Sequence, residues 1–139
     1  MTLRTLALAG VAASLFALPA LAHHSFAMFD QATTTSVSGT VMELEWINPH
    51  VWLHIEVTKD DGSTEEWSFE AGSTGQLSQS FWTADSVQPG ETINVNFHPL
   101  KDGSNGGQLI DVTKDDGTWL CQGAACRDQL REQGLIPQG

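Results

Sequence analysis

The chain has no tyrosine, and it sets only 6 lysines and arginines against 17 acidic residues. The first absence removes the phenolic hydroxyl as a nucleophile or acid–base group. The second leaves a formal net charge of −11, which repels phosphate backbones and makes nucleic acid a poor partner whatever the fold. Such a surface draws cations, and it also simply keeps a domain soluble. Cysteine is nearly absent: Cys121 and Cys126, in "CQGAAC", are the whole complement. Two thiols cannot build a multiple-disulfide scaffold, and their spacing is not the C-x-x-C of redox sites. In an exported chain they are expected to pair as a structural staple, and closing so short a loop contributes about 2 kcal/mol at most. No phosphate-cradling glycine loop, G-x-S-x-G or H-E-x-x-H occurs. Nothing names a reaction, so binding rather than catalysis is the expectation.

Long apolar runs are missing as well, with one exception at the N-terminus. Arg4 is followed by "TLALAGVAASLFAL", an apolar stretch too short to span a bilayer with ease, and then by "ALA" at 20–22. This pattern predicts a signal peptide over residues 1–22, cleaved after Ala22, and a periplasmic or secreted mature chain that does not insert into the membrane. Residue 23 is His rather than Cys, so a lipoprotein anchor is not expected there.

What remains reads as one small β-rich domain over residues 23–120, followed by a polar tail over 121–139. "SVSGTVMELEWIN" has Val37, Gly39 and Val41 on one face and then Leu44 and Trp46 at the other parity. A period-2 pattern that slips by one implies a bulge near Met42–Glu43. After the break at "NPH", Val51, Leu53, Ile55 and Val57 alternate inward, and "KDDG" makes a hairpin turn into "STEEWSFE" with Trp67 and Phe69 on one face. "GSTGQLSQSFW" reads as a short helix, capped by Ser73 or Thr74, with Leu77 and Phe81 sharing a face. Ile93, Val95 and Phe97 then mark a fourth strand, "KDGSNGG" a flexible loop, and "QLIDVT" a fifth. The tail holds one or two helical turns around "RDQLREQ". Three strands, a helix and two strands is the order of the OB-like five-stranded barrel. The fold class is therefore all-β with one short helix, and a sandwich or helix-capped meander is the alternative.

Reactive groups concentrate in the 5 histidines, His23, His24, His50, His54 and His98. Cleavage after Ala22 would free the His23 amine beside its own imidazole, giving a chelate whose donors lose their protons near neutral pH. His24 offers a second route through amine, amide nitrogen and imidazole. Nitrogen-rich sites of this kind suit Cu(II) or Ni(II), with copper favoured by intrinsic affinity. His50 and His54 stand about 13 Å apart on an ideal strand, too far to share one metal. His50 and His98, each beside a proline at a strand end, are the better candidates to complete a site. Trp46, Trp52 and the other tryptophans offer a stacking platform, as OB-folds use for oligosaccharides, or serve as core. Trp46 and Trp67 are expected in the core and Trp52 partly outside. Glu43/Glu45 and Glu65/Glu66 are expected as solvated charge.

"AHHSFAMFD", "GTVMELEWINPHVWLHIEV" and "PGETINVNFHPLKDGSNGG" together resemble a family of small exported bacterial proteins known only as a domain of unknown function. The resemblance runs from about His23 to Trp119. It implies a signal peptide, a small β-rich domain and a motif set on the N-terminal histidines, on W-x-N-P-H (Trp46, Asn48, Pro49, His50) and on H-P-x-x-D-G (His98, Pro99, Asp102, Gly103). It brings no activity.

The reading that follows is a periplasmic binding protein. Its leading ligand is copper or another late transition metal, held by His23, His24, His50 and His98. The alternative is an OB-like module for a glycan or small molecule, using Trp46, Asn48 and Trp52. An envelope protein–protein adaptor is the third possibility.

Overall fold

The structure, a computed structural model, describes residues 26–137, so the expected signal peptide and both His23 and His24 lie outside the described residues. β1 spans Thr35–Glu45, β2 Trp52–Thr58 and β3 Thr64–Glu70. A short helix, α1, covers Thr74–Ser78, and β4 (Thr92–Pro99) and β5 (Gly106–Lys114) follow. A short β6 (Trp119–Cys121) and a second helix, α2 (Gly123–Glu132), end the described chain.

Strands run in the order β3-β2-β1-β4-β5-β6, and an additional pairing of β3 with β5 closes the first five into a barrel. The closing pairs are parallel, Ser68 with Gly106, Phe69 with Gly107 and Glu70 with Gln108, while every other ladder is antiparallel. This is the OB-like barrel with its helix between β3 and β4. The bulge expected near Met42–Glu43 is there: the β1–β2 register slips between Val41 and Glu43, which lets one long strand pair with β4 at its start and β2 at its end.

Closure depends on two residues that composition alone places in a loop. Gly106 and Gly107 open β5 instead of ending the "KDGSNGG" loop. A Cβ on Gly106 would lie 2.0 Å from the Ser68 carbonyl oxygen, and one on Gly107 would lie 2.1 Å from that of His98. Only a missing side chain lets β5 pass between β3 and β4 at this point.

The core fills the barrel with the inward residues of each strand. Val51, Leu53, Ile55, Phe69, Ile93, Val95 and Val112 are buried, and Phe69 and Phe97 pack with ring centroids 4.9 Å apart. Trp46 and Trp67 are half-buried against this core, as expected for packing residues.

α1 caps one end of the barrel. Ser73 is its N-cap: its side chain accepts from the Gln76 amide, while the Gln76 side chain accepts from the Ser73 amide in return. Leu77 is fully buried, but Phe81 does not share its face. The helix ends in a Schellman turn, with the Phe81 amide bonded to the Ser78 carbonyl and the Trp82 amide to that of Leu77. Phe81 therefore takes a φ of +66° and is exposed, and Trp82 fills the core position. The Trp82 indole Nε1 donates to the Cys121 carbonyl at 2.9 Å.

The segment after β6 is more ordered than "one or two turns" implies. Cys121 and Cys126 form a disulfide, and α2 lays Cys126 and Leu130 against Cys121 in a small second cluster. Among the described residues, no helix is long and apolar enough to cross a membrane.

Candidate functional site

A cleft of about 590 Å³ opens where the β3–α1 junction, β5 and the start of α2 meet. Its walls include Glu70, Gln108, Gln122 and Arg127, and His50 and His98, from separate strands' ends, both line it. The lip carries Phe26, a residue 66% exposed and two positions after His24.

Each histidine is held by its Nδ1. The His50 Nδ1 lies 3.1 Å from the Ala71 carbonyl oxygen and 3.3 Å from a Glu70 carboxylate oxygen. The His98 Nδ1 lies 2.8 Å from the Thr33 carbonyl oxygen. A carbonyl can only accept, so Nδ1 donates in both rings, and the neutral imidazoles then carry their lone pairs on Nε2.

Local chemistry fixes these partners. Thr33 belongs to a turn built on Asp30, whose carboxylate accepts from the Thr33 hydroxyl at 2.6 Å and the Ala32 amide at 3.2 Å. The Thr33 hydroxyl, followed by the Ala32 amide, holds the Asp30 carboxyl below its ordinary value of 3.8. That turn is tied to β4 by the Asp30 amide bonding to the Pro99 carbonyl at 2.8 Å. On the other wall, Val51 and Ala71 extend the β2–β3 ladder and place the Ala71 carbonyl under His50.

Gln122 forms the back of the cleft. Its Oε1 accepts from the Gly72 amide at 2.9 Å, and its Nε2 donates to the Leu109 carbonyl. One side chain thus bridges the α1 loop to β5, and being so engaged it makes no cap bond to α2. Gln31 donates to Gln108 at 2.6 Å, which leaves the Gln31 oxygen and the Gln108 amide hydrogens for other partners. Glu70 is only 7% exposed, an acid nearly enclosed at a strand end. No carboxylate pairs with Arg127 among the described residues, whereas Lys59, Lys114 and Arg131 each meet one.

The remaining candidates sit elsewhere. Asn48 secures α1: its side-chain oxygen accepts from the Thr74 amide at 3.1 Å and the Thr74 hydroxyl at 3.0 Å. Trp46 packs on the core, and Trp52 lies half-buried, stacked on His54 at 6.5 Å between ring centroids. None of these lines the cleft. His54 Nδ1 lies 2.8 Å from the Ser68 hydroxyl and 3.5 Å from Glu66, and Nε2 lies 3.6 Å from Glu45. Glu66 is exposed, as expected of solvated charge, and Glu45 is half-buried. Glu65 pairs with Lys59 at 2.8 Å, which holds its carboxyl below the ordinary value.

Among the described residues, no three His, Cys, Asp or Glu side chains group closely enough to hold a metal. Glu70, Gln122 and Arg127 line the cleft without belonging to any sequence motif: strand parity makes Glu70 look outward, and the other two lie in the polar C-terminal segment.

No curated protein matches the chain. The barrel as far as the first part of β5 falls within residues 11–109, which match the family of unknown function DUF6152, and the chain belongs to that family.

Proposed function

We propose that the cleft between β5, α1 and α2 is a binding site for a small, neutral, polyhydroxylated molecule, a mono- or disaccharide. The observation that carries this reading is the lining itself. Planar amides, two histidines, a nearly enclosed carboxylate and an arginine converge in one cleft of a size usual for small ligands. Sugar hydroxyls both donate and accept. They match Gln31, Gln108, Glu70 and Arg127 better than an apolar ligand does, and Phe26 at the lip supplies a ring for a sugar face. In this reading the chain acts in the periplasm, where envelope glycans supply such ligands.

The test is calorimetric titration of the processed protein with glucose, N-acetylglucosamine and maltose. At least one should bind saturably, and Arg127→Ala should weaken it at least about tenfold with an unchanged melting temperature. No saturable binding of any of the three sugars contradicts the reading.

A second reading keeps Cu(II) as the ligand. It is favoured by the two histidine tautomers: metal-bound imidazoles characteristically donate their other ring N–H to a backbone carbonyl or carboxylate. His50 does so to Ala71 and His98 to Thr33. Residues 23 and 24 stand within a few residues of Phe26 at the lip, so His23 and His24 could add nitrogens. Here the protein starting at His23 should bind Cu(II) more tightly than one with an extra N-terminal residue, and His50→Ala and His98→Ala should each weaken it. Equal affinity in all four proteins contradicts this second reading.

A further inference from the structure

A second pocket, separate from the cleft, lies where the end of α1, β6 and the C-terminal part of α2 come together. It has a volume of about 310 Å³ and is lined mainly by apolar side chains, among them Trp119, Leu120, Leu130 and Leu135. Two observations at this pocket have no account in the packing of the barrel.

The first is Ser80. It is 3% exposed, and its hydroxyl has no hydrogen-bond partner among the described residues. A buried hydroxyl without a partner forgoes the hydrogen bonds that water gave it in the unfolded chain. The second is Phe81. It occupies the left-handed position of the Schellman turn, which glycine fills at least cost, with φ +66°. Its ring gains little burial in return, being 58% exposed at the same pocket. An unsatisfied hydroxyl inside and a strained, exposed aromatic at the edge both become intelligible if something occupies the space between them.

We infer that this pocket binds a compact apolar molecule carrying one hydroxyl or carbonyl oxygen. The apolar body packs against Trp119, Leu120 and Leu130, and the ligand oxygen exchanges a hydrogen bond with the Ser80 hydroxyl. Phe81 closes over the ligand from the solvent side. The neutral lining takes no charged group. The inference does not depend on the function of the cleft.

The probes are benzyl alcohol and ethylbenzene, which share a ring and a chain length and differ in the hydroxyl. Binding is read from the Trp119 indole N–H resonance during titration of the full processed chain. Benzyl alcohol is expected to shift that resonance saturably. Ser80→Ala should weaken benzyl alcohol about tenfold, the scale of one lost hydrogen bond, and leave ethylbenzene within about twofold. Phe81→Gly gives an independent check: it relieves the left-handed strain, so the melting temperature should rise while benzyl alcohol affinity falls. Three results each overturn the inference: no saturable shift in the wild type, equal losses for both probes in Ser80→Ala, or undiminished benzyl alcohol binding in Phe81→Gly. The first of them means that the buried Ser80 hydroxyl simply stays without a partner. If Ser80→Ala fails to fold, Ser80→Cys keeps the shape, weakens the hydrogen bond and must give the same ordering.

Discussion

Gly107 shows what one missing side chain does for this protein. A Cβ there would meet the Phe97 ring at 2.7 Å as well as the His98 carbonyl oxygen at 2.1 Å, and neither can yield without moving β4. Gly107→Ala should therefore cost at least about 3 kcal/mol, read as a lowered urea midpoint, and should displace His98 in the cleft. A cost below about 1 kcal/mol would mean that β4 and β5 part easily. Asp30 is a gentler case. Its hydrogen bonds to Thr33 and Ala32 lower its folded pKa below 3.8, so its contribution is present above that value and fades as pH falls through the folded pKa. Stability should drop on acidification below that point, and less steeply in Asp30→Asn. Parallel curves for the two proteins would remove Asp30 from the acid response. Single residues were unequally legible. Histidines announce themselves by chemistry, so His50 and His98 stood out. Glu70 did not, because its partner His50 lies on another segment of the chain and reaches it only through folding.

At the scale of elements, the strands were legible wherever one face is buried. Val51, Leu53 and Ile55 alternate because β2 has one face in the core and one outside, and the slip at Met42–Glu43 is visible for the same reason. α1 was legible from its cap, since Ser73 and Gln76 satisfy each other's backbone amides within four residues of sequence. Ser73→Ala should cost about 1 kcal/mol in urea denaturation, and no change would show that Asn48 alone holds the helix start. The helix end was misread because i, i+4 spacing says nothing about where a Schellman turn ends the face. α2 was underestimated for a different reason. Its sequence is polar, and its burial is confined to Cys126 and Leu130 against a neighbour fixed by the disulfide. Reducing that disulfide should lower stability by about 2 kcal/mol and loosen α2 before the barrel, as hydrogen exchange would report. Uniform exchange across α2 and β2 after reduction would contradict this order.

For the molecule as a whole, the sequence order of elements pointed to the barrel, but the closing β3–β5 pairs could not be read from it. They join residues 68–70 to 106–108 through two glycines that look like loop. The candidate site shares that limitation. His50, His98, Gln122 and Arg127 are brought together only when the barrel closes and α2 folds back beside it, so no motif could have displayed them as a set. The platform of Trp46, Asn48 and Trp52 was, by contrast, a sequence neighbourhood, and folding assigns Trp46 to the core and Asn48 to α1. The central claim is that ligands enter the cleft and not the outer sheet face that carries Trp52 and His54. Amide resonances mapped during titration of the processed protein with N-acetylglucosamine, glucose and maltose test it most directly. The account predicts shifts clustered on residues 70–72, 108–110 and 122–127. Shifts clustered on Trp52, His54 and Glu66, with the cleft unmoved, would contradict it.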